Sequence, residues 1–131
     1  MLSAQITLPV DTLNSGSTTD QVFDRFAEEP HKTVYVRDDH QVNERHELTL
    51  LRRFPTRSGN FLGTQKCTIK LTDDRTVVGV DGSDIVVPSI AALDCSLPVG
   101  MTTADKVELR QRFIALLDSA EFDNLFVRNK I

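Results

Sequence analysis

The chain has 131 residues, 40% hydrophobic and 26% charged, which fits one soluble globular domain and is too short for two independent cores. Its net charge of −4 argues against a uniformly basic nucleic-acid binder, and no apolar run reaches the ~18 residues of a membrane span. The N-terminus has no basic start, apolar centre and small-residue cleavage site, so synthesis in the cytoplasm is expected.

In chain order, residues 4–8 alternate apolar and polar, a half-buried strand ended by Pro9. Residues 14–19 read as a flexible turn. Residues 21–27 fit a strand or a short helix, because Val22, Phe23 and Phe26 match neither period. Residues 33–37 are β-branched and aromatic, a strand stopped by Asp38 and Asp39. Residues 47–54 form a further strand, with Leu48 and Leu50 on one face and Glu47, Thr49, Leu51 and Arg53 on the other. Residues 66–72 alternate strictly: Cys67, Ile69 and Leu71 point one way, and Lys66, Thr68, Lys70 and Thr72 the other.

Residues 77–80 and 85–87 flank Asp81-Gly82-Ser83 as a hairpin, and residues 90–97 make a last strand. The period then changes from two to 3.6. Thr102 is placed to cap a helix that runs to about Ser119, with Asp105 in its first turn. Residues 121–127 give a second, short helix. Strands first and helices last predict an α+β domain covering residues 1–131, with strands to about 101 and helices from about 103.

Charge is unevenly spread. Residues 44–75 carry Arg45, Arg52, Arg53, Arg57, Lys66, Lys70 and Arg75 against Glu44, Glu47, Asp73 and Asp74, the one net-positive stretch of the chain. The long helix is apolar over about half its circumference, since Val107 and Ile114 lie well round from Leu109, Phe113, Leu116 and Leu117, with Arg110 interrupting the arc. One sheet covers one stripe of a helix. The remainder needs either the short helix of the same chain or a second copy of the protein.

Catalytic readings find little support. His31, His40 and His46 lack metal-type spacing, and Asp81-Gly82-Ser83-Asp84 lacks the longer glycine signature and lysine of a phosphate loop. Cys67 and Cys95 are far apart in sequence and fit neither a metal pair nor a disulfide framework. Two thiols packed in an apolar core are expected. No cofactor, metal or enzymatic activity is expected.

An ordered series of segments resembles the coat proteins of single-stranded RNA bacteriophages, the leviviruses. It runs through Thr33-Val34-Tyr35-Val36, Glu47-Leu48-Thr49-Leu50-Leu51-Arg52-Arg53 and Lys66-Cys67-Thr68-Ile69-Lys70-Leu71. It continues through Gly79-Val80-Asp81-Gly82-Ser83-Asp84-Ile85-Val86-Val87-Pro88 and Leu93-Asp94-Cys95-Ser96-Leu97-Pro98, then the two helices. The series covers about three-quarters of the chain. No one segment is specific; their order and spacing are.

The resemblance implies an N-terminal strand region, a five-stranded antiparallel sheet and two C-terminal helices, intertwined in a homodimer with a continuous ten-stranded sheet. Dimers would build an icosahedral T=3 shell around viral single-stranded RNA, in a virion made in a bacterial host. Binding of an RNA stem-loop would repress replicase translation. Thr49, Arg53, Lys66, Thr68, Lys70, Thr72 and Asp94 would face the RNA. Val107, Arg110, Phe113, Ile114, Leu117, Phe122, Leu125 and Phe126 would form the dimer interface. Residues 73–88, with Gly79, Asp81, Gly82, Ser83 and Pro88, would be the loop between dimers, Pro88 restricting its exit and adopting cis in some copies.

The chain departs from the family at Ile90, Ala92 and Asp94, which offer no aromatic platform for a base, and at Leu51, where a small polar residue is usual. The plainer readings are a solvated sheet face, an ordinary hairpin, and a small homodimeric α+β binding or adaptor module with no shell.

Overall fold

The computed structural model describes residues 2–130. Six strands follow one another in sequence order across a single sheet: β1 (Gln5–Val10), β2 (Thr19–Glu29), β3 (Lys32–Arg37), β4 (His46–Arg53), β5 (Thr64–Val78) and β6 (Asp84–Pro98). Two helices close the chain, α1 (Thr103–Leu117) and α2 (Ala120–Phe126). The α+β class expected from the sequence is therefore the class observed, with the N-terminal strand joining the sheet as a sixth member. Two compact units are present: one holds residues up to Phe54 with Gln65–Ser96, the other Pro55–Thr64 with the chain from Leu97 on.

In the first unit, Pro9 does not end β1, which continues to Val10. Arg25 N–H donates to Ala4 O at 2.9 Å, so the even residues of β1 bond to β2 and Pro9 faces the open edge, where its missing N–H costs no ladder bond. Asp11 organises the turn that follows, accepting from the N–H groups of Ser15 (2.8 Å) and Gly16 (2.6 Å). Residues 21–27, ambiguous in sequence, lie within β2. A bulge between Arg25 and Ala27 shifts the alternation there and leaves Phe26 exposed.

The core is small. Phe23, Tyr35 and Leu48 are buried, with Ile6 and Leu50 packed against them, and the registers put all five side chains on one face. Tyr35 is 0% exposed, and its hydroxyl donates to Ser3 O at 2.7 Å, which satisfies the polar end of a buried ring.

β5 and β6 correct the sequence-based expectation. Residues 66–72 and 77–80 belong to one strand that ends at Val78, and residues 85–87 and 90–97 belong to another. Only 79–83 form the turn between them. Gly82 N–H donates to Gly79 O (3.0 Å) and Gly79 N–H to Ser83 O (2.7 Å), with Gly82 at φ +83°. That is a tight three-residue hairpin loop whose left-handed position requires glycine. Asp81 accepts from the Ser83 hydroxyl (2.6 Å) and N–H (3.0 Å).

Pro88 is therefore not the end of a long loop but a residue inside β6, and no described peptide bond is cis. The register set by Gly79–Ser83 puts the odd residues of β6 in hydrogen bonds to β5. The even residues, Pro88 among them, face the free edge.

The β3–β4 connection is tied down by charge. Asp74, on β5, is buried and accepts from Arg45 N–H (2.8 Å), Nε (3.1 Å) and Nη2 (3.1 Å). The Arg45 guanidinium, then the Arg45 N–H, hold this carboxyl below the usual carboxylate range. His46 Nδ1 lies 2.9 Å from Asp73 Oδ1, and His46 N–H donates to His40 Nδ1 at 3.1 Å.

A group whose folded pKa is depressed adds stability above its unfolded pKa, about 3.9 for Asp, and loses it as pH falls through the lower folded value. Thermal melts are thus expected to be level in Tm above about pH 4.5 and to fall below about pH 4. Asp74→Asn should flatten part of that acid limb. An acid limb unchanged in the variant would discard the Arg45–Asp74 pair as its source.

In the second unit, the loop 55–64 closes on itself. Gly63 has φ +98°, and a Cβ there would meet Thr56 O at 2.5 Å, so no other residue fits. Gly63 O accepts from Val99 N–H at 3.0 Å. α1 is capped as expected, with Thr102 Oγ1 accepting from Asp105 N–H at 3.1 Å. It ends at Leu117 rather than Ser119, because Ser119 instead caps α2 by accepting from Phe122 N–H at 3.2 Å.

Candidate nucleic-acid interface and assembly surfaces

The pairing of β4 with β5 places Glu47 opposite Thr72, Thr49 opposite Lys70, Leu51 opposite Thr68 and Arg53 opposite Lys66. All therefore project from the face opposite the core. Asp94 joins them from β6, its Oδ1 accepting from the Thr68 hydroxyl at 2.5 Å. All seven residues expected at a nucleic-acid surface thus share one sheet face.

They are not equally accessible. Arg53 and Lys66 are exposed and Lys70 half-buried. Thr72 (5% exposed) and Thr49 (9%) are buried among their cross-strand neighbours. The exposed polar groups of this set are the Arg53 and Lys66 cations and the Asp94 carboxylate. One carboxylate oxygen of Asp94 is already engaged by Thr68, which leaves it less free to accept from a base.

Sequence reading missed part of this surface. Lys32 pairs with Leu51 in the β3–β4 register and so faces the same way as Arg53 and Lys66. Together with Glu29, His31, Leu51, Arg52, Phe54 and Thr68 these residues line an open cavity of about 760 Å³. The Arg52 guanidinium lies 5.0 Å from the centre of the Phe54 ring, and His31 meets that ring edge-on at 5.3 Å. Arg52 also donates to Pro30 O (3.0 and 3.2 Å). The signal for Lys32 lay in the strand register, which alternation within one strand does not supply.

The helices are the second surface. Neither α1 nor α2 buries a residue within the chain. Val107, Phe113, Ile114, Leu117, Leu125 and Phe126 are all exposed, Ile114 at 46%, as are Leu109 and Leu116. Arg110 is exposed and Phe122 half-buried, the latter stacked on Phe126 with ring centres 5.2 Å apart. Single apolar residues on a surface are ordinary; here eight large apolar residues of the two helices are exposed. Ile69 and Leu71 on the core face of the sheet are uncovered as well.

A third surface is the open edge of β6. Val86, Ile90, Ala92, Asp94 and Ser96 turn their N–H and C=O groups away from β5, an unpaired ladder offered to another strand. Of the residues expected between dimers, Gly79, Asp81, Gly82 and Ser83 form the hairpin tip, and Pro88 stands apart from it within β6.

No protein-family model matches the sequence, and no curated protein matches it. Solved structures do match. The chain is similar to the virus-like particle of bacteriophage AVE019 at 21% identity, over 95% of this chain and 94% of the other, with a TM-score of 0.78. It is similar to the virus-like particle of Wenzhou levi-like virus 4 at 24% identity, over 98% and 88%, with a TM-score of 0.73. The bacteriophage EMS014 coat protein matches at 17% identity, over 89% and 74%, with a TM-score of 0.64. The sheet of sequential strands followed by two helices is the levivirus coat-protein fold, and the sequence resemblance to that family holds at the level of the fold.

Proposed function

We propose that this chain is the coat protein of a single-stranded RNA bacteriophage, a structural and not a catalytic protein. The observation that carries this reading is the helical surface: on a chain with this fold, α1 and α2 leave every large apolar side chain but Phe122 exposed. Burial at about 25 cal/mol per Å² of apolar surface favours a second copy over water. A two-fold pairing satisfies this surface with the same residues from each copy. In that pairing Val107, Phe113, Ile114, Leu117, Leu125 and Phe126 meet their counterparts or the partner's sheet, and the open edges of two β6 strands join the sheets into one. Domain and dimer together make the unit from which an icosahedral shell is built.

The face bearing Arg53, Lys66 and Lys70, extended by Lys32, then lines the interior and holds viral RNA through its phosphates. This chemistry packages RNA without reading its sequence. A stem-loop that represses replicase translation would be bound on the same face, with Leu51, Ile90 and Ala92 supplying apolar rather than stacking contacts. The protein accordingly resides in the virion after synthesis in the bacterial host.

Expression of the protein alone in bacteria tests this. Electron microscopy is expected to show uniform closed particles whose contents are nuclease-protected host RNA. Discrete dimers alone, at high concentration and across salt conditions, would overturn the shell and leave a homodimeric adaptor.

A further inference from the structure

Cys67 and Cys95, distant in sequence, are neighbours in the sheet. The contacts Gly79–Ser83 and Thr68–Asp94 both belong to one antiparallel register of β5 with β6. That register sets Cys67 directly opposite Cys95. Both are free and half-buried, and burial, followed by the neighbouring Cys95, pushes the Cys67 thiol up.

Directly opposed residues of a hydrogen-bonded antiparallel pair stand about 5.5 Å apart at Cα, inside the range of about 4.4–6.8 Å that a disulfide spans. Cys67 also borders an open groove of about 400 Å³ lined by Leu2, Thr33, Leu50 and Ile69, which gives a small oxidant access to the sulfur.

We infer that Cys67 and Cys95 are a cross-strand redox pair that closes to an intrachain disulfide under oxidising conditions. The oxidant class is a low-molecular-weight disulfide. One cysteine, as thiolate, attacks a sulfur of the small disulfide and releases one small thiol, leaving a mixed disulfide on the protein. The second cysteine, as thiolate, attacks the protein-side sulfur, forms the S–S bond and releases the second small thiol. Two protein thiols are oxidised, one small disulfide is reduced to two thiols, and the two cysteine protons pass to the released thiolates. The product staples the two longest strands of the sheet to each other. It does not depend on the coat-protein reading.

The test equilibrates the folded full-length protein in glutathione buffers from fully reduced to fully oxidised, followed by acid quenching, alkylation and peptide mapping by mass spectrometry. Both thiols are expected to disappear in one transition, with a Cys67–Cys95 cross-linked peptide, no stable glutathione adduct and a Tm raised by roughly 5–10 °C. Cys67→Ser should leave Cys95 able to form only the glutathione adduct. Stable adducts on both cysteines of the unaltered protein, a link between chains, or two free thiols in fully oxidised buffer would each overturn the pair. The mapping on unaltered protein decides the matter even where the serine variant fails to fold.

Discussion

Ile114→Asp is expected to leave the chain folded and to abolish its dimers. Ile114 is half exposed on the isolated chain, so an aspartate there costs the monomer little. In a two-fold interface the same carboxylate would lose its water, a penalty of several kcal/mol for each copy that Arg110 offsets only in part. At about 1.4 kcal/mol per factor of ten, the dimer dissociation constant should rise by at least roughly a thousandfold. Sedimentation over a concentration series, with circular dichroism to check the fold, measures both halves of the expectation.

Arg110 lies one turn before Ile114 and offers an ion pair that would soften the effect. Leu117→Asp has no such cation one turn before it and serves as the second variant. Wild-type dimerisation in both would remove the exposed face of α1 from the interface.

Lys66→Ala with Lys70→Ala is expected to spare assembly and deplete the particle of RNA. Both side chains project from the sheet face opposite the core, and among the described residues neither is held in an ion pair. Their loss removes two phosphate contacts. For single strands each contact contributes about 0.7 to the slope of log affinity against log salt, so the slope should shrink by about 1.4. Filter binding to a mixed RNA pool across salt concentrations reads the slope, and absorbance of purified particles reads the RNA content. If both stay at wild-type values, the RNA lies on another surface.

Much of the sheet was legible in the sequence because half-buried strands alternate. β3, β4 and the first half of β5 announced themselves this way, and the face carrying Lys66, Thr68 and Lys70 followed from period two alone. The capping threonine of α1 was equally plain, since a hydroxyl before an apolar-periodic run has a local use.

What failed to read had physical causes. Phe26 disguised β2, because the bulge beside it moves the side chains out of phase. Asp74 fell in the stretch read as a loop from residue 73, yet it is a buried acceptor within β5 for Arg45, a partner on another part of the chain. Pro88 looked like a terminator, but its position at the open edge removes no bond. The burial of Thr49 and Thr72 depends on cross-strand neighbours, and the opposition of Cys67 to Cys95 on a register. Neither is written in a local pattern.

The two edges of the sheet are unequal, and this limits how far a sheet of such chains can grow. At β1 only Gln5 and Thr7 offer outward N–H groups before Pro9 interrupts the row, along a strand of 6 residues. At β6 the row is far longer, in a strand of 15 residues. A strand added at β6 by a second copy is necessarily antiparallel under two-fold symmetry and uses up the one receptive edge of each. What remains outermost on both sides is the short, proline-blunted β1, a poor template for a third chain. Growth of the sheet by strand addition would thereby reach a definite end at two copies instead of running on into a fibre.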